Sequence, residues 1–160
     1  MDEKRLQCML VHAPKFDNWY KPLGDFIWIN YLPIGIFALA DNLEQHGYAA
    51  EIVHLGIEWI EDHGFDIVEY VGTTRPKIVA LSLHWHYQSY DVIKIAEAIK
   101  ARYPDTLICT GGFTASYYHR EILEDFPCLD AVIQGDAEEP LLRLVEQVTK
   151  NERDLHKVSN

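Results

Sequence analysis

A few residues have types and spacings that could do chemistry. His84-Trp85-His86 closes an apolar run, and two histidines one residue apart can share a metal ion. His12, which closes another apolar run, is placed to join them, but no acidic third ligand accompanies it. A packed Trp flanked by two hydrogen-bonded histidines is the structural alternative. Ser82 lies two residues before His84, so both point to one face of an extended strand, and a Ser buried there needs a partner from protein or ligand. Gly111-Gly112 removes both side chains at a strand end: a ligand could lie against the backbone, or the chain simply turns tightly. Gly35 opens a helix, where close helix-to-sheet packing is the alternative. Gly135-Asp136-Ala137-Glu138-Glu139 precedes another helix. Its acids suit the helix dipole and could also accept hydrogen bonds from amides or hydroxyls of a large ligand.

The elements that must position these residues alternate. Strand-like runs are expected at about Leu6–Val11, Ala49–Leu55, Ile78–Leu83, Thr106–Thr110 and Asp130–Gln134. Helical windows fall between them. Pro33 fits a first helical position, Ile36, Phe37, Ala40 and Leu43 form its stripe, and Gly47 suits the left-handed C-terminal position. A weaker helix is expected over Gly64–Val71. Ser89 can cap the next one, which carries Val92, Ile95, Ala96 and Ile99 and ends by Pro104. Two more helices are expected, one over Ala115–Glu124 and one from Pro140 with Leu141, Leu144, Val145 and Val148 inward. The connection from His12 to Leu32 is long and holds Phe16, Trp19, Tyr20, Phe26, Trp28 and Tyr31, as functional loops often do.

Five strands separated by helices imply an α/β fold, a doubly wound parallel sheet in the order 2-1-3-4-5, flavodoxin-like or Rossmann-like. In that order ligands bind outside the carboxyl ends of strands 1, 3 and 4. The loops to inspect begin at His12, His84, Gly111 and Gly135. The first, His12-Ala13-Pro14-Lys15-Phe16-Asp17, is neither a Ser/Thr/Gly-rich flavin-phosphate loop nor Gly-x-Gly-x-x-Gly. A phosphorylatable receiver would need acids there, an Asp after strand 3 and a Lys after strand 5, where this chain has His12, His84 and Gln134.

The 160 residues suit one domain, residues 1–150, with 151–160 a polar linker. Hydrophobic residues make up 48% and charged residues 24%, an ordinary globular balance. With 14 Lys and Arg against 25 Asp and Glu, net charge −11, neither nucleic acid nor an anionic membrane is an expected partner. Cys8, Cys109 and Cys128 are odd in number and widely spaced, which suggests neither a disulfide framework nor a zinc knuckle. Met1-Asp2-Glu3-Lys4-Arg5 leads straight into a strand, so a cytoplasmic protein without a signal peptide is expected.

Four segments, in order, resemble the cobalamin-binding domain that precedes radical S-adenosylmethionine domains. They are Leu32-Pro33-Ile34-Gly35-Ile36-Phe37-Ala38-Leu39-Ala40, Ile78-Val79-Ala80-Leu81-Ser82, Thr110-Gly111-Gly112-Phe113-Thr114-Ala115, and Asp130 through Gln134-Gly135-Asp136-Ala137-Glu138-Glu139-Pro140-Leu141. The resemblance spans about Leu6 to Val148. It implies cobalamin as cofactor, its nucleotide tail in a slot between sheet and helix, with Ser82, Gly111 and Gly112 at slot positions. The corrin ring would rest on the carboxyl rim, helped by the aromatic-rich loop. The implied contacts are Pro14, Lys15, Ser82, Leu83, His84, Trp85, His86, Gly111, Gly112, Phe113, Thr114, Gly135, Asp136 and Glu138.

The chain departs from cobalamin domains that carry Asp-x-His-x-x-Gly after strand 1, so the expected state is base-off with no such histidine on cobalt. The residue beneath cobalt is then expected among His84, Trp85 and His86. The Cys-x-x-x-Cys-x-x-Cys of the radical domain is absent, so the chain is expected to be the non-catalytic front module of a longer enzyme. That parent would be a methyltransferase or a related enzyme, with its iron–sulfur cluster and S-adenosylmethionine in a separate C-terminal domain. The alternatives are a free-standing corrinoid methyl carrier and a metal- or nucleotide-dependent enzyme using His12, His84 and His86.

Overall fold

Apolar runs that bury both faces form the centre of the molecule. The computed structural model describes residues 6–14 and 33–150. Its five strands are β1 (Cys8–His12), β2 (Ala50–His54), β3 (Ile78–Ser82), β4 (Leu107–Gly111) and β5 (Ala131–Ile133), in the expected order β2-β1-β3-β4-β5. Every neighbouring pair is parallel. Alternation splits the core in two. Met9, Val11, Val79, Leu81 and Ile108 face one layer of helices, while Cys8, Leu10, Ile78 and Cys109 face the other.

The helices are α1 (Ile34–Gln45), α2 (Leu55–Glu61), α3 (Ile67–Thr74), α4 (Ser89–Arg102), α5 (Phe113–Tyr117), α6 (His119–Asp125) and α7 (Glu138–Thr149). Helices α1 and α7 cover the Cys8/Leu10/Cys109 face and contact one another. Pro33 caps the start of α1, and Gly47 just beyond it has φ +84°. Lys100 clamps the far end of the sheet: its ammonium meets Asp130 at 2.6 Å, and the same carboxylate accepts from the Ile108 N–H at 2.7 Å.

Three elements differ from expectation. Helix α2 follows β2 without a loop. Its N-cap is His54, whose ring nitrogen accepts from the Ile57 N–H at 3.3 Å. The helix expected over Ala115–Glu124 is two short helices broken at Tyr118, where φ is −104° and ψ 26°. Ser89 is the first residue of α4 rather than its cap, since a 3-10 turn over His86–Gln88 precedes it and the Ser89 hydroxyl donates to the His86 carbonyl. The aromatic loop, Lys15 and the expected linker lie outside the described residues. Among the described residues no helix is long and apolar enough to cross a membrane.

Candidate functional site

Parallel register lays one rung of residues across the carboxyl rim of the sheet: His54, His12, Ser82, Gly111 and Ile133. The rung two residues below it reads Ile52, Leu10, Ala80, Cys109 and Ala131. Both point toward α1 and α7. At β3 and β4 these rungs hold only Ser, Gly, Ala and Cys. The helices therefore do not close onto the sheet there, and a groove of about 450 Å3 remains.

The first turn of α1, the loop after β5 and the start of α7 form its other walls. Pro33, Ile34 and Gly35 lie on one side, Gly135, Asp136 and Glu138 on the other. Asn42 of α1 donates from its side-chain amide to the Glu138 carbonyl at 3.0 Å and ties these walls together. Ser116 fixes the β5 loop by accepting from the Gly135 N–H at 3.0 Å.

Two glycines here are not explained by packing among the described residues. A Cβ at Gly35 would meet nothing within 4 Å, which removes the close-packing reading of that residue. A Cβ at Gly111 would touch only Ile133, no closer than 3.5 Å. Both line the groove, so the space they leave open belongs to whatever fills it. The Ser82 hydroxyl, half-buried on the same wall, makes no hydrogen bond among the described residues.

Gly112 is different. Its φ is +114°, and a Cβ would lie 2.8 Å from the Leu83 carbonyl oxygen. The neighbouring amides complete a seam: Leu83 N–H donates to the Gly111 carbonyl, Ala115 N–H to Leu83 and Thr114 N–H to His84. The Thr114 hydroxyl also donates to the His84 carbonyl, at 3.1 Å.

Of the fourteen residues expected to contact a ligand, Ser82, His84, Gly111, Gly112, Phe113, Gly135, Asp136 and Glu138 line this one groove. Leu83 and Thr114 belong to the seam and line a cleft on the opposite face, between α4 and α6. Pro14 is buried against Gly56, whose added Cβ would come 2.9 Å from the proline ring. Trp85 and His86 are exposed beside the groove. Gln88 had no signal in the sequence. Buried, it accepts from the Trp85 N–H at 2.9 Å and donates to the Ala13 carbonyl at 2.8 Å, holding the loops after β1 and β3 together.

Burial acts on two histidines at the rim. Desolvation, followed by the nearby His54 and His84, pushes His12 down to about 4, and the His12 and His54 ring centroids are 4.8 Å apart. Burial also lowers His84, whose ring packs 4.9 Å from Trp85 and 4.3 Å from Phe113. His12, His84 and His86 do not gather into a ligand set: among the described residues no three His, Cys, Asp or Glu are placed to hold a metal ion.

A doubly wound parallel sheet with a glycine-lined groove at its carboxyl switch point is a cofactor-binding domain of the flavodoxin-like class. Residues 30–145 match the B12 binding domain family, and the chain belongs to that family. Cobalamin is its cofactor, and the residues present fit it, since the open space at Gly35 and Gly111 and the Ser82 hydroxyl face one continuous groove.

The chain is similar to the hopanoid C-3 methylase of Methylococcus capsulatus, 26% identical over 78% of this chain and 24% of that protein. It is 27% identical to the cytidylyl-2-hydroxyethylphosphonate methyltransferase of Streptomyces wedmorensis, over 76% of this chain and 26% of that protein. It is 32% identical to the anaerobic magnesium-protoporphyrin IX monomethyl ester cyclase of Cereibacter sphaeroides, over 74% of this chain and 18% of that protein. The chain thus spans about a quarter or less of the length of these relatives.

Two predictions follow from the rim. Gly112→Ala should destabilise the chain by about 1–3 kcal/mol through strain at positive φ, whereas Gly111→Ala should cost under about 1 kcal/mol. Urea unfolding of the two variants checks the contrast, and equal losses would contradict it. His12 stays neutral in the fold down to about 4, whereas unfolded it protonates near 6.5, so its stabilisation is complete above that value. As pH falls through this window the unfolded chain binds more protons, and up to roughly 3 kcal/mol is lost. His12→Gln should flatten that part of the stability profile, measured by denaturant unfolding across the window. A stability difference between variant and parent that does not change with pH would refute the assignment.

Proposed function

We propose that this domain holds cobalamin base-off, with the nucleotide tail in the groove and the corrin on the carboxyl rim above His84 and Trp85. The observation that carries this reading is the pair of glycines, Gly35 and Gly111, whose missing side chains leave space that no described residue fills. Size agrees. About 450 Å3 falls in the range of small-molecule sites yet is far too little for a whole corrinoid, so the macrocycle must lie outside. The exposed faces of Trp85 and Phe113 offer an apolar seat beside the groove mouth. His84 packs between those rings and is the one of the three expected residues that lines the groove, so it is the residue assigned to the position beneath cobalt.

The domain works as the cobalamin module of a longer radical S-adenosylmethionine enzyme, a methyltransferase or a close relative of one. Two of the relatives are named for methyl transfer, and each is about four times longer than the stretch it shares with this chain. In such an enzyme the bound cobalt would carry the methyl group, while the iron–sulfur cluster and S-adenosylmethionine would belong to a C-terminal domain. This chain's own residues contribute binding and orientation: Ser82 and Gly111 hold the tail, and Gln88 steadies the two loops beneath the ring.

The direct test is a calorimetric and visible-absorbance titration with hydroxocobalamin, set beside cobinamide, which lacks the tail. An aromatic ring system removes about 150–250 Å2 from water, worth about 4–6 kcal/mol before ordering costs. Cobalamin should bind one-to-one with a base-displaced spectrum, and cobinamide at least about 100-fold more weakly. Equal affinity for the two would remove the tail from the groove.

A further inference from the structure

We propose that the deep end of the groove selects the corrinoid's lower base, taking a base with an apolar edge such as dimethylbenzimidazole and rejecting one with a polar edge such as adenine. The inference rests on the reading that the tail enters this groove.

Polar groups are distributed unevenly along the groove. At the mouth lie Ser82, the Gly111–Gly112 turn, Asp136 and Glu138, whose polar groups suit a sugar and its amide and hydroxyl neighbours. The deep end, one rung below, is made by Leu10, Ala80 and Cys109 of the sheet and by Ile36, Leu39 and Leu141 of the two helices. The rungs are about 6.6 Å apart along the strands, roughly the length of a ring system. Of those six side chains only Cys109 carries a polar atom, a thiol that burial pushes up to about 12, so it stays neutral and is a weak partner.

The backbone offers nothing either. Strands β1, β3 and β4 pair with one another in unbroken register at Leu10, Ala80 and Cys109, so their N–H and C=O groups are engaged in the sheet. Ala80 is the one small side chain between Leu10 and Cys109, and it makes the slot where a flat ring can lie between sheet and helices. An adenine placed there would lose water from its amino group and ring nitrogens and find no partner for them among the described residues. Dimethylbenzimidazole presents two methyl groups at the same edge and loses nothing. Leaving polar edges unpaired costs more than an apolar contact returns, and this asymmetry makes the site selective.

The test compares the affinity of the chain for cobamides that differ only in the lower base: dimethylbenzimidazole, adenine and the phenolic base p-cresol. Calorimetry should give the adenine form roughly 10–100-fold weaker binding than the other two. The cresol form has no nitrogen to bind cobalt, so its retention separates edge chemistry from the cost of displacing the base. Leu39→Gln, which brings an amide to the deep end from a half-buried position on α1, should narrow the gap at least about 3-fold. Equal affinities for the dimethylbenzimidazole and adenine forms would overturn the inference and leave the tail in the groove, as would a gap that Leu39→Gln does not change. Cobinamide binding as tightly as all three would overturn the tail reading and this inference together.

Discussion

Gly112 passes so close to the Leu83 carbonyl that no side chain fits, and this contact organises the carboxyl rim. With φ at +114° it turns β4 sharply into α5 and brings the α5 amides onto the Leu83 and His84 carbonyls. The seam sets the ends of β3 and β4 side by side, which places Ser82 next to Gly111 on the other face. One residue pair thus separates two roles. Leu83, Gly112 and Thr114 hold the loops, and Ser82 and Gly111 are left open to a ligand.

The groove exists because small side chains meet large helices. Ile36 and Leu43 of α1 and Leu141, Leu144 and Val145 of α7 bury themselves against the sheet on either side. Between them the rungs at β3 and β4 carry too little volume to fill the layer. A core normally packs out such a gap, because every void forfeits contacts. Here the gap among the described residues is bounded by glycine and serine and bridged at its lip by Asn42. On the rim above it burial lowers the pKa of His12 and His84, which disfavours a cation on either ring.

The architecture was legible because parallel strands need crossovers and each apolar run stood alone between helical windows. That Ser82, His84, Gly111, Gly112, Gly135, Asp136 and Glu138 come together around one groove was legible because the switch-point rule points to those loops. Other features were not. Helix α2 starts on a histidine cap directly after a strand, with no Ser, Thr, Asp or Asn before it to announce it. Nothing in the sequence breaks the helix at Tyr118. Gln88, Asn42 and Ser116 act through partners 75, 96 and 19 residues away, which local pattern cannot reveal. Beyond Ser82 the chain leaves strand geometry for a 3-10 turn, so the period-two rule that placed His84 says nothing of Trp85 and His86.

The central claim is that this groove takes the tail and so strips the base from cobalt. Electron paramagnetic resonance of cob(II)alamin bound to 15N-labelled protein tests it most directly, because the ligand's own 14N base splits the cobalt lines into triplets only while it is coordinated. The account predicts that the 14N triplets vanish on binding. Triplets that persist in the saturated complex would mean the base stays on cobalt and the groove holds something else.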